Sequence, residues 1–259
     1  MSPSRITNQI NWNNTSSRIT IFLLIENANI VHTIDYSTSL WPQNRDVKLI
    51  NTTKVAETGQ INLQGEFKNK NLLLSVTPFK LDLIFSPKDQ LDLTSSISLQ
   101  TMGLYAEAIS DVNFLVESWL QQSSMPKIQR LAYAPELVSR VKSHHEAYEV
   151  ISQYLPFPVD PATSSDFRYQ INKFTTSRVQ RGLKINRVTA WDVLRFNFQL
   201  SVGQIAQPPL QHEDLYYCHL SLDINTELEH TGELGRDKII PLYKELVSHV
   251  EVISKEGIK

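Results

Sequence analysis

The sequence predicts an α+β protein, with antiparallel sheets of meander-type strands and long amphipathic helices packed on one face. It divides into two related halves, residues 1–125 and 126–259, or forms one compact unit. Three observations carry this reading. Residues 192–202 alternate with period two, setting Leu194, Phe196, Phe198, Leu200 and Val202 against Arg195, Asn197, Gln199 and Ser201. Residues 216–224 alternate again, with Tyr216, Cys218, Leu220, Leu222 and Ile224 opposite Tyr217, His219, Ser221 and Asp223. Successive side chains leave opposite faces of a strand, so both runs read as half-buried strands. The polar stretch 203–214 between them then reads as the loop of an antiparallel pair. Third, each half ends in apolar residues spaced by three and four, the period of a helix with one buried side.

Taken in order, the apolar, β-branched run 18–25 reads as a buried strand and 30–36 as a second one. Residues 37–58 are polar and irregular, with one short strand near 47–50. The runs 60–67, 71–76 and 79–85, separated by Lys68-Asn69-Lys70 and Thr77-Pro78, read as a meander. Met102, Tyr105, Ile109, Val112, Leu115, Val116 and Trp119 then define a helix over 101–122. A strand is expected at 128–133, a break at Ala134-Pro135, and a helix over 144–155. Three prolines within 155–161 exclude regular structure there, because proline fixes φ and lacks a backbone donor. Strands follow at 166–172 and 183–189, before the run opening at Trp191. Ile239, Leu242, Tyr243, Leu246, Val250 and Ile253 mark the closing helix, with Gly257 just past its end as a left-handed cap.

Composition narrows the function classes. With 25 basic and 27 acidic residues, the net charge of −2 supplies no global field toward nucleic acid or an anionic membrane, so nucleic acid is left to a local patch. The first 14 residues are polar, without the basic start and apolar core of a signal peptide, and the longest apolar run is far shorter than a bilayer span. The chain therefore reads as cytoplasmic, with no membrane partner. The single cysteine, Cys218, falls on an apolar strand face and reads as a buried hydrophobe. Only 8 of 259 residues are glycine, and no phosphate-cradling loop, nucleophile elbow or paired-cysteine motif is present, so no cofactor and no metal is expected.

The candidate site is geometric. If the strands around 166–172, 194–202 and 216–224 are neighbours, one polar face gathers Arg168, Gln170, Arg195, Asn197, Tyr217, His219 and Asp223. Two arginines and several long polar donors on a sheet suit an extended peptide, a nucleic-acid strand or an anion. A solvated outer face accounts for the same alternation with no function attached. Ser221, His219 and Asp223 also share that face, but no sharp turn exposes the serine and no oxyanion hole is evident, so no catalytic residue is assigned. His212-Glu213-Asp214 beside His219 keeps a second class open, a hydrolase or nuclease using residues 211–230. The spacing of Asp223, Asn225 and Glu227 imitates a calcium loop but lacks its glycine and its closing glutamate.

The segments Arg130-Leu131-Ala132-Tyr133, 166–172 and Leu220-Ser221-Leu222-Asp223-Ile224-Asn225-Thr226 resemble a sporadically distributed, uncharacterised bacterial family with an arginine-leucine-x-tyrosine strand and a late leucine-aspartate-isoleucine-aspartate strand. The resemblance is scattered over residues 71–256, and Asn225 stands where the family has its second acidic residue. It implies a bacterial, cytosolic α+β protein and carries over no functional residue. The expected function is a non-enzymatic binding protein that holds a protein, peptide or nucleic-acid partner, or a second copy of itself, on a polar sheet face or a sheet edge.

Overall fold

The computed structural model describes residues 10–24, 34–88, 98–197 and 214–258. Within them the alternating runs form strands β1 (Asn13–Leu23), β2 (Val47–Lys54), β3 (Ile61–Phe67), β4 (Lys70–Thr77), β5 (Lys80–Pro87), β6 (Ile128–Val141), β7 (Arg168–Thr176), β8 (Lys184–Asn197) and β9 (Asp214–Thr226). The helices are α1 (Ile34–Ser39), α2 (Tyr105–Leu120), α3 (His144–Ser152) and α4 (Arg236–Glu256). All nine strands join one antiparallel sheet in the order β2-β3-β4-β5-β1-β6-β9-β8-β7. The element order repeats along the chain. A first strand, a short helix, a meander and a longer helix occur twice, and each meander ends beside its own first strand, β5 by β1 and β9 by β6. β1 and β6 then pair with each other at the centre.

This architecture corrects the expected fold class. The molecule is mostly one large antiparallel sheet, and the helices, of 6, 16, 9 and 21 residues, are the minor part of it rather than long layers over separate sheets. The reason is that strands continue where local signals suggested breaks. β6 runs through Ala134-Pro135, and β8 is one strand of 14 residues where two were expected. Proline leaves its mark without ending β6. The ladder to β9 lapses at Ala134 and Pro135, then resumes in the same register, Tyr133 opposite Ile224 and Glu136 opposite Ser221. The absent N–H removes a rung, while pairing of Pro135 with Ser17 on β1 holds the strand in place.

Part of the strand expected over 30–36 lies outside the described residues, and its end, Ile34 to Tyr36, belongs to α1. The loop expected over 203–214 also lies outside them, apart from Asp214, which opens β9. The expected helix start at His144 is built by its flanks. The Ser143 hydroxyl accepts the Glu146 N–H at 3.2 Å, and the Glu146 carboxylate reaches back to the Lys142 N–H at 2.6 Å.

The core lies on the inner face of the sheet. Ile19, Ile21, Leu63, Leu74, Leu83, Leu131, Tyr133, Trp191, Leu220 and Ile224 meet Val112, Leu115 and Trp119 of α2 and Leu242, Tyr243 and Leu246 of α4. Trp12 sits edge-on between Tyr154 and Trp191, ring centroids 6.1 and 5.9 Å away, and its indole N–H donates to the Ser254 carbonyl at 2.9 Å. Gly257 closes α4 at φ 78°, and a side chain there would strike the Tyr154 carbonyl oxygen, so two independent constraints require glycine. Among the described residues no helix is long and apolar enough to cross a membrane.

Candidate functional site

Register decides which side chains share the outer face. On β9 the inner positions are Cys218, Leu220, Leu222 and Ile224, which leaves Leu215, Tyr217, His219, Ser221, Asp223 and Asn225 on the outer face. Pairing across β8 sets Asp192 opposite His219, Leu194 opposite Tyr217 and Ala190 opposite Ser221. Pairing on to β7 sets Arg168 opposite Asp192 and Gln170 opposite Ala190. Two rows therefore cross the face from the β7 edge inward, Arg168-Asp192-His219-Val138 and Gln170-Ala190-Ser221-Glu136.

An ion cluster joins the two rows. His219 Nδ1 is 2.7 Å from Asp192 Oδ1 and its Nε2 is 2.8 Å from Glu136 Oε2. The Ser221 hydroxyl donates to the other Glu136 oxygen at 2.8 Å. Two carboxylates flanking one ring need a proton on each nitrogen, so the ring is held as imidazolium. Burial alone would lower the His219 pKa, but the bonds to Asp192 and Glu136 outweigh it and raise it to about 9. Solvent still reaches the cluster, since the His219 and Asp192 side chains are each 18% exposed and that of Glu136 37%.

Beside the cluster Val138, Leu215 and Tyr217 form a second, small apolar cluster, against which Leu99, Leu194 and Phe196 pack. The Tyr217 hydroxyl accepts the Leu99 N–H at 3.1 Å. Apolar wall and ion cluster together line an open groove of about 480 Å³, with Arg168 at the end toward β7. The Arg168 guanidinium touches only the Gln170 side-chain oxygen at 3.3 Å and has no carboxylate partner among the described residues.

Of the residues expected at the site, Arg168, Gln170, Tyr217, His219 and Asp223 do share this face. Arg195 and Asn197 do not, which corrects the single polar face assumed above. They stand opposite Tyr216 and Asp214 on the inner side, where Arg195 bonds Asp214 at 2.8 Å and Asn197 bonds its other oxygen at 3.1 Å. The physical reason is that β8, in unbroken register with β9, carries apolar residues on both faces. Ile185, Thr189 and Trp191 are buried toward the core, whereas on the other face Ala190 is buried and Leu194 and Phe196 pack on the outer cluster. Asp223 lies along β9 from the ion cluster and accepts the Asn225 amide at 3.0 Å. Sequence reasoning missed Glu136 and Asp192. The adjacent apolar pair Val193-Leu194 was the available sign of a strand buried on both faces, but nothing local signals a cross-strand partner.

The geometry also separates the chemistries. The Ser221 hydroxyl donates to Glu136 and both His219 nitrogens face carboxylates, so the serine and the histidine of this face bond carboxylates and not each other. Burial pushes the Cys218 thiol up to about 12, and its sulfur faces the Ala147 carbonyl at 3.6 Å. Among the described residues no group of three or more His, Cys, Asp or Glu side chains is arranged to hold a metal ion. His212 and Glu213 lie outside the described residues. Comparison of the chain with protein-family models and with curated proteins finds no match.

Proposed function

We propose that the protein is a non-enzymatic binding module that holds an extended peptide segment of a partner protein across its outer sheet face, reading an apolar residue next to a carboxylate. The observation that carries this is the pairing of one exposed, carboxylate-free guanidinium, Arg168, with the apolar wall of Val138, Leu194 and Phe196 along one open groove. An arginine fork grips a carboxylate in two places, and an apolar ledge beside it selects the neighbouring side chain. The His219 cluster supplies a rigid polar floor, because its donors and acceptors are already satisfied within the protein. The alternative of a hydrolase or nuclease centred on residues 211–230 has less support, because the serine and histidine on this face bond carboxylates and not each other.

An array of ten-residue peptides carrying Leu-Asp or Phe-Glu pairs, each matched by its Leu-Asn or Phe-Gln counterpart, tests the reading. Wild type should favour the acidic members by about tenfold, as expected for a charge-assisted bond. Arg168→Ala should abolish the preference. Arg195→Ala, on the opposite face, should keep it. Equal binding of acids and amides by the wild type would overturn the assignment.

A further inference from the structure

The two edges of the sheet are built differently. β2 carries a register shift between Leu49 and Asn51, together with Lys48 and Lys54. Bulges and lysines are the usual devices that stop an edge strand from recruiting another. β7 carries one lysine, Lys173, whose ammonium is tied to the Ile258 carbonyl at 2.8 Å, but it has neither a bulge nor a proline or glycine, and it pairs with β8 without a shift from Arg168 opposite Asp192 to Thr176 opposite Lys184. It is the last strand of the sheet, so one side of its backbone has no strand beside it among the described residues. On its outer face it presents Phe174, 70% exposed.

From this edge we infer that β7 pairs antiparallel with β7 of a second copy about a two-fold axis at Ile171, joining two sheets into one and setting Arg168 of each copy against Phe174 of the other. The occupant is argued from self-complementarity. In this register Ile171 faces Ile171, Gln170 faces Asn172, and each exposed guanidinium gains an aromatic face. On the inner face Tyr169 stands opposite Lys173. The Lys173 ammonium keeps its bond to the Ile258 carbonyl at 2.8 Å, so its aliphatic stem covers the ring. Centring the pair on Lys173 instead would set ammonium against ammonium, and centring it on Asn172 would leave Arg168 opposite Thr176. Arg168 also ends the groove, so the second copy's Phe174 becomes part of the groove wall, and each site is completed by the other chain. The inference does not rest on the peptide reading, because dimerisation is measured with no ligand present.

Sedimentation equilibrium of the full chain up to about 100 μM, the range of weak specific interfaces, tests it. Wild type should be a monomer-dimer equilibrium. Phe174→Lys sets a lysine against Arg168 at an exposed position and should weaken the dimer by about tenfold or more, with an unchanged circular dichroism spectrum. Arg168→Glu added to Phe174→Lys should restore the dimer through a crossed Glu-Lys pair, which only this register brings face to face. A wild type that stays monomeric throughout overturns the proposal and leaves the edge to a strand of another protein. A dimer indifferent to Phe174→Lys, or a double variant without rescue, overturns the β7 register.

Discussion

Neighbouring residues of β9 stand in two different chemical environments. Leu220 and Leu222 face inward and are closed off by the core, whereas His219 and Ser221 face outward and bond only to carboxylates that water still reaches. The inner face draws its stability from removing apolar surface, which is non-directional and scales with area. The outer face uses directional bonds among charged groups, whose net contribution is small unless a partner is removed. The difference places the apolar burial that stabilises the fold on one side of the sheet and the polar groups that water still reaches on the other.

The largest test of this contrast is Trp191→Ala. Trp191 is fully buried and packs against Trp12 and Tyr154. Its truncation should cost about 3–5 kcal/mol in urea unfolding. A loss no larger than that of an outer-face variant would erase the distinction between the faces.

The ion cluster comes next. Folding raises the His219 pKa to about 9, so the folded protein holds that proton more tightly than the unfolded chain. The stabilisation is complete below the unfolded value of about 6.5 and is lost as pH climbs through the folded value. Wild type should therefore lose about 2–3 kcal/mol between about pH 6 and pH 10 that His219→Asn does not lose. Parallel stability curves for the two proteins would refute a charged His219.

Glu245 offers a smaller test, because it is a polar exception on the inner side. Burial alone would raise its pKa, but the Ser177 hydroxyl at 2.6 Å and the Arg178 N–H at 2.8 Å hold it below the usual carboxylate range. Glu245→Gln should cost about 1 kcal/mol at neutral pH, with the difference from wild type shrinking as acid protonates the native carboxylate. The smallest effect belongs to Arg168→Ala, within about 0.5 kcal/mol of wild type, as expected of an exposed side chain with no carboxylate partner among the described residues.

Much of the strand structure is legible from alternation. The expected strands over 47–50, 60–67, 71–76 and 79–85 fall on β2 to β5, and the runs at 166–172 and 216–224 fall on β7 and β9. The amphipathic spacings over 101–122 and 238–254 fall on α2 and α4. The fold class was not legible, because β6 passes through a proline and β8 through an expected break, and these continuations merge everything into one sheet. The grouping of side chains on one face was legible only in part. Alternation places Arg168, Gln170, Tyr217, His219 and Asp223 on one face, as the structure does, but it also places Arg195 and Asn197 there, and it gives no sign of Glu136 and Asp192 beside His219.

The sequence by itself determined which residues extend and which of them alternate, because the backbone sends successive side chains to opposite sides of a strand through local stereochemistry alone. Only the tertiary structure decided which alternate set faces the core and which carboxylates meet His219. Those choices depend on hydrogen-bonded register between strands 27 and 83 residues apart in the chain, and a shift of one residue would exchange the two faces.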